Sequence, residues 1–95
     1  MEKKCADILI VDDTLANLQL LSDILKQAGH KVRPAPNGKF ALEAVAKKHP
    51  DLILLDIKMP GMDGYEVCES LKNTPELAHI PVLFISALTD ISDKI

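Results

Sequence analysis

Ile8-Leu9-Ile10-Val11-Asp12-Asp13, followed later by Leu52-Ile53-Leu54-Leu55-Asp56 and by Val82-Leu83-Phe84-Ile85-Ser86, is the recurring pattern that decides the fold. Each run is short, aliphatic and without the alternation of a strand that has one wet face, so each reads as an interior strand of a parallel sheet. A fourth run, Val32 to Ala35, carries Arg33 and Pro34. Proline cannot donate a ladder hydrogen bond, so this strand belongs at an edge.

Helical patterns separate the strands. Thr14 to Ala28 places Leu18, Leu21, Ile24, Leu25 and Ala28 on one broad face, with Gly29 as a stop and Asp13 or Thr14 as the cap. Residues 38–48 form a second helix through Ala41, Leu42, Ala44 and Val45, closed by Pro50 after lysines that suit a helix C-terminus. Gly64 to Asn73 forms a third, packing through Val67, Cys68 and Leu71, before Asn73-Thr74-Pro75 interrupts the pattern.

The order βαβαβαβ, with right-handed crossovers, gives an α/β fold: a doubly wound parallel sheet in a three-layer sandwich. With the second strand at the edge and the others interior, the strand order is 2-1-3-4 and the topological switch falls between strands one and three.

Composition bounds what such a chain can do. Its 95 residues make one small domain over 1–95, without room for separate substrate and cofactor domains. Aromatics are 3% and tryptophan is absent, so the core must be aliphatic. Fourteen acidic against eleven basic side chains, a formal charge of −3, offer no clustered cations for a phosphate backbone, and direct nucleic-acid binding is not expected. Cys5 and Cys68 are too few for a disulfide framework, and with His30, His49 and His79 they give no close zinc-ligand spacing. No apolar stretch reaches membrane-spanning length, so a cytoplasmic module without membrane contact is expected.

The strand ends carry the chemistry. Asp12 and Asp13 end the first strand and Asp56 the third, so the expected order gathers three carboxylates on the rim where open parallel sheets bind ligands. Taken singly, each is also an ordinary strand-end or capping group. Together they repel unless a cation lies among them, and hard oxygen donors with retained waters suit Mg²⁺. Lys58 can offer its carbonyl to that ion with its side chain in solvent. Ser86 can donate its hydroxyl to an anionic oxygen, and Ala87 leaves space and exposes backbone N–H groups. In Met59-Pro60-Gly61-Met62-Asp63-Gly64, the fixed proline and the two glycines can hold the Asp56 rim while the chain turns into the third helix. Met59 and Met62 read as packing groups and Tyr65 as a surface residue at the helix start.

These segments closely resemble the receiver domain of two-component response regulators, the CheY-like superfamily, and in appearance those of hybrid sensor kinases. Ile10-Val11-Asp12-Asp13 is similar to the family's acidic first-strand signature, Leu54-Leu55-Asp56 to its phosphoacceptor strand, Met59 to Gly64 to the following loop, and Ser86-Ala87 to its hydroxyl-small pair. The resemblance implies a flavodoxin-like fold in which Asp56 accepts a phosphoryl group from a histidine kinase or phosphotransfer domain. It also implies that Asp13, Asp56 and the Lys58 carbonyl ligate Mg²⁺, that Asp12 acts through water, and that Ser86 bonds the phosphoryl oxygen.

Against the family pattern, residues 88–95 suffice only to begin a fourth helix. The expectation is a receiver truncated within that helix, lacking the fifth strand and last helix, with Lys94 no substitute for the family's late lysine. Such a chain would bind metal more readily than it would switch, and its exposed fourth strand leads to one of two expectations: self-association as a homodimer, or a fragment of a longer chain. Three functions follow: a phosphorelay receiver attached to a kinase or output domain, a degenerate receiver used for docking or assembly, and a Mg²⁺-dependent phosphohydrolase. In the first, any activity is limited to self-phosphorylation and autodephosphorylation.

Overall fold

The structure is a computed structural model that describes residues 5–85. The elements follow the order β1 (Asp7–Val11), α1 (Leu15–Gln27), β2 (Lys31–Ala35), α2 (Gly38–Lys47), β3 (Leu52–Asp56), α3 (Gly64–Lys72) and β4 (Val82–Ile85). All pairings are parallel and the strands lie in the order β2-β1-β3-β4, as the sequence predicts.

The continuous aliphatic runs of β1 and β3 are explained by two cores, one on each face of the sheet, whereas β4, read from the sequence as interior, ends the described sheet with Leu83 and Phe84 exposed. Ile8 and Ile10 of β1 point towards α1, where Leu18 is buried with Leu21 and Leu25 around it. Leu9 and Val11 of β1 and Ile53 and Leu55 of β3 point the other way, onto Ala41 and Val45 of α2 and Val67 and Leu71 of α3. Successive side chains of β1 therefore enter different cores, and neither can be polar. The arrangement is a three-layer, flavodoxin-like α/β sandwich with four strands among the described residues.

Local chemistry sets the element ends. Asp63 and Glu66 form a reciprocal capping box at α3, and the Asn37 side chain accepts the Phe40 N–H at α2. Thr14 occupies the N-cap of α1 but makes no side-chain cap bond; Oδ1 of Asp12 instead accepts the Thr14 N–H at 2.9 Å. Gly29 ends α1 with φ of 96°, a conformation that favours glycine. Of the expected α1 face, Ile24 and Ala28 are exposed, while Ser22 is buried. The segment after α3 adds Leu77 and Ile80 to the larger core, and Lys72 Nζ donates to the carbonyls of Ala78 and Ile80.

The edge strand β2 is built as its proline suggests. The Lys31 N–H donates to Ala6 and the Ala35 carbonyl accepts from Asp12, so residues 31, 33 and 35 bond to β1 and alternate residues face outward. Those outward residues are Val32, Pro34 and Pro36, two of which have no N–H. Arg33 closes the opposite end of the sheet, donating from Nε to Asp7 at 3.1 Å and from its terminal nitrogens to the carbonyls of Lys48 and Ala44.

Candidate functional site

The register of the central strands constructs the site. Val11 pairs with Leu55, so one step further along the parallel ladder Asp12 lies beside Asp56, with Asp13 next in the chain. One carboxylate oxygen from each of Asp12, Asp13 and Asp56 falls within 4.8 Å of the others. Asp12 and Asp56 are 2% and 4% exposed, whereas Asp13 is open to solvent. Two charged groups are thus held at the end of an aliphatic sheet and the third faces water, leaving the cluster accessible from one side.

Burial opposes the charge of Asp56, and the carboxylates of Asp12 and Asp13 oppose it further. Together they push its pKa from 3.8 up to about 6, against the backbone N–H groups of Lys58 and Ile57, which act in the opposite direction. At neutral pH Asp56 is therefore mostly ionised yet poorly compensated. The donors are all hard carboxylate oxygens, and a small divalent cation with bonds of about 2.1 Å needs oxygens roughly 3 to 4 Å apart. This trio can coordinate a divalent metal ion.

Asp12 is fixed independently of any ion. Its Oδ1 accepts the Thr14 N–H, its Oδ2 accepts from Asn17 Nδ2 at 3.3 Å, and its own N–H donates to the Ala35 carbonyl. Asn17 is a site residue that sequence reasoning missed; the available signal was an amide in the first turn of α1, directly after the acidic pair. Lys58 stands exposed two residues beyond Asp56. Met59 is buried in the larger core and Met62 packs against it, as expected of packing groups, while Tyr65 is exposed with its ring 5.2 Å from that of Phe84. Beside Asp56 the loop borders an open depression of about 520 Å³ lined by Ile57, Lys58, Met59, Pro60, Asp63 and Tyr65.

β4 is described as far as Ile85, which registers with Asp56. Ser86, Ala87 and Lys94 lie outside the described residues. His49 and His79 bring their rings to 6.4 Å, but no further group of three potential ligands forms among the described residues. No helix among them is long and apolar enough to cross a membrane.

Comparison with known proteins matches residues 8–95 to the response regulator receiver domain. Response regulator PleD of Caulobacter vibrioides is 48% identical over 90 residues, which cover 95% of this chain but 20% of that protein. The chain thus spans about a fifth of the length of that relative. The polar-differentiation response regulator DivK of Brucella ovis is 37% identical over 87 residues, covering 92% of this chain and 71% of that protein. Among solved structures, a putative response regulator from Chloroflexus aurantiacus superposes with a TM-score of 0.85 at 37% identity, covering 96% of this chain and 75% of the other.

Proposed function

The chain belongs to the response regulator receiver domain family, and from that membership we propose that it is a phosphoacceptor signalling module, with Asp56 as the nucleophile. The observation that carries the reading is the convergence of Asp12, Asp13 and Asp56 on one point at the end of the two central strands. The phosphoryl donor is a histidine kinase or phosphotransfer protein. An Asp56 carboxylate oxygen forms the new O–P bond as the P–N bond of the donor's phosphohistidine breaks, and the electron pair leaves with the imidazole nitrogen.

Asp56 must be ionised to attack, and a pKa of about 6 leaves it so at neutral pH. Asp13, Asp56 and the Lys58 carbonyl are the groups that would hold Mg²⁺, with Asp12 acting through water and kept in place by Thr14 and Asn17. When bound, the ion supplies positive charge against both the carboxylates and the incoming group. Ser86 would donate to a phosphoryl oxygen and Ala87 leave room for it. The chemistry is confined to gaining and losing this one group. Its added charge is then read as a surface change by an attached kinase or output domain in the cytoplasm.

Mass spectrometry after exposure to a small acyl phosphate, with and without Mg²⁺, tests the proposal. One phosphoryl adduct is expected, dependent on Mg²⁺ and lost in Asp56→Asn. An adduct that survives the substitution would place the nucleophile elsewhere.

A further inference from the structure

Gly64 is the first residue of α3, and its main chain sits directly on the end of β3. Its N–H donates to the Ile57 carbonyl at 2.8 Å. A Cβ added at this position would overlap the Asp56 carbonyl oxygen and lie 2.9 Å from Ile57 Cα and 3.0 Å from the Asp56 carbonyl carbon. All three are backbone atoms, which cannot swing aside as the end of a side chain can. Gly38 provides an internal contrast. There an added Cβ would meet the side chains of Val67, at 2.7 Å, and Met62, at 3.1 Å, and no backbone atom among its nearest neighbours.

We propose that Gly64 is a positioning residue of the phosphoacceptor site, holding the Asp56–Ile57 and Ile57–Lys58 peptides, and through them the adjoining Lys58–Met59 peptide, in the orientation that aims the Asp56 carboxylate and the Lys58 carbonyl at the metal position. This rests on the receiver reading above and adds a residue to it. α3 is pinned by its capping box at Asp63 and Glu66 and by Val67 and Leu71 in the core, so it cannot retreat freely from β3. A methyl group at position 64 must therefore displace the peptide carrying Asp56. The two N–H groups that act on the Asp56 carboxylate, from Lys58 and Ile57, belong to the same short segment and move with it.

The test compares wild type, Gly64→Ala and Gly29→Ala by Mg²⁺ titration calorimetry, by the rate of acyl-phosphate labelling at saturating Mg²⁺, and by the amide chemical shifts of Ile57 and Lys58. Urea unfolding of each variant supplies the stability baseline. Gly64→Ala is expected to weaken Mg²⁺ binding by about tenfold or more, as loss of a ligand's supporting partner does, to slow labelling and to shift both amides. Gly29→Ala, strained by a φ of 96° but with nothing within 4 Å of the added Cβ, is expected to lose stability while leaving Mg²⁺ affinity and these amides at wild-type values. Wild-type affinity, labelling and amide shifts in a folded Gly64→Ala would overturn the assignment.

If Gly64→Ala does not fold, an ester-linked glycolate in place of Gly64 removes the N–H to Ile57 without adding an atom near Asp56. Unmoved Ile57 and Lys58 amides in that protein would equally overturn it. Failure of wild type to bind Mg²⁺ or to be labelled would remove the receiver reading instead, and the amide shifts would still decide the role of Gly64.

Discussion

Asp56→Asn should make the metal-free protein more stable, and only at the higher end of the pH range. The folded state raises the Asp56 pKa from 3.8 to about 6, so it binds this proton more tightly than the unfolded chain does. Between those values stability falls as pH rises, and above about pH 6 the full cost of the buried charge is present. Roughly two pKa units correspond to about 3 kcal/mol. Solvent over the open rim, on the side of exposed Asp13, screens the carboxylates and reduces this to about 1–2 kcal/mol. Asparagine keeps the shape, and its amide faces Asp12 and Asp13 as a donor rather than as a third negative charge.

The measurement is urea unfolding followed by far-ultraviolet circular dichroism, in chelator, at several pH values. Tryptophan is absent, so fluorescence offers no strong core probe. The variant should exceed wild type by about 1–2 kcal/mol near pH 8, with the difference vanishing below about pH 4. Mg²⁺ should then stabilise wild type by mass action and narrow the gap. An asparagine variant no more stable than wild type at high pH, or one whose advantage does not change with pH, would refute the electrostatic account of the cluster.

Other expectations concern the supporting structure. Ile53→Ala, at a position with no exposed surface, should cost about 2–5 kcal/mol in urea unfolding; a loss below about 1 kcal/mol would contradict its central place in the larger core. Arg33→Met should cost about 1–3 kcal/mol, because Asp7 and the Lys48 carbonyl lose a charged donor in a partly buried site. Asp63→Ala should remove the capping box and about 1 kcal/mol, read as a lowered urea midpoint. Asp13→Asn should weaken Mg²⁺ binding in calorimetry by about tenfold or more while leaving metal-free stability at or slightly above wild type, since Asp13 is exposed and its charge opposes that of Asp56.

The fold was legible because its two central strands, β1 and β3, are buried on both faces. A run such as Ile8 to Val11 has no alternative to a central parallel strand once helical patterns lie on either side. Pro34 similarly identified the edge. The three aspartates were legible for the same reason: the strand order alone brings Asp12 and Asp56 together. Side-chain detail was less so. Periodicity assigned Ile24 and Ala28 to the inner face of α1, but the narrow contact with the sheet is filled by Leu18, Leu21 and Leu25. The choice of cap also escaped, because Asp12, placed by β1, reaches the Thr14 N–H before the helix's own residues do. Asn17 and the backbone contact at Gly64 depend on how helices seat against strand ends, which spacing along the chain does not encode.

The hydrogen-bond geometry of β2 bears on how copies of the molecule meet in concentrated solution. An incoming strand would find Val32 as the sole donor among three outward positions, so that flank offers no continuous template for growth. On the opposite flank the Pro81 carbonyl accepts from Ile53, which turns the N–H groups of Val82 and Phe84 outward. The two flanks of the described sheet therefore differ in backbone donors: β2 turns out the N–H of Val32 alone, whereas β4 turns out those of Val82 and Phe84.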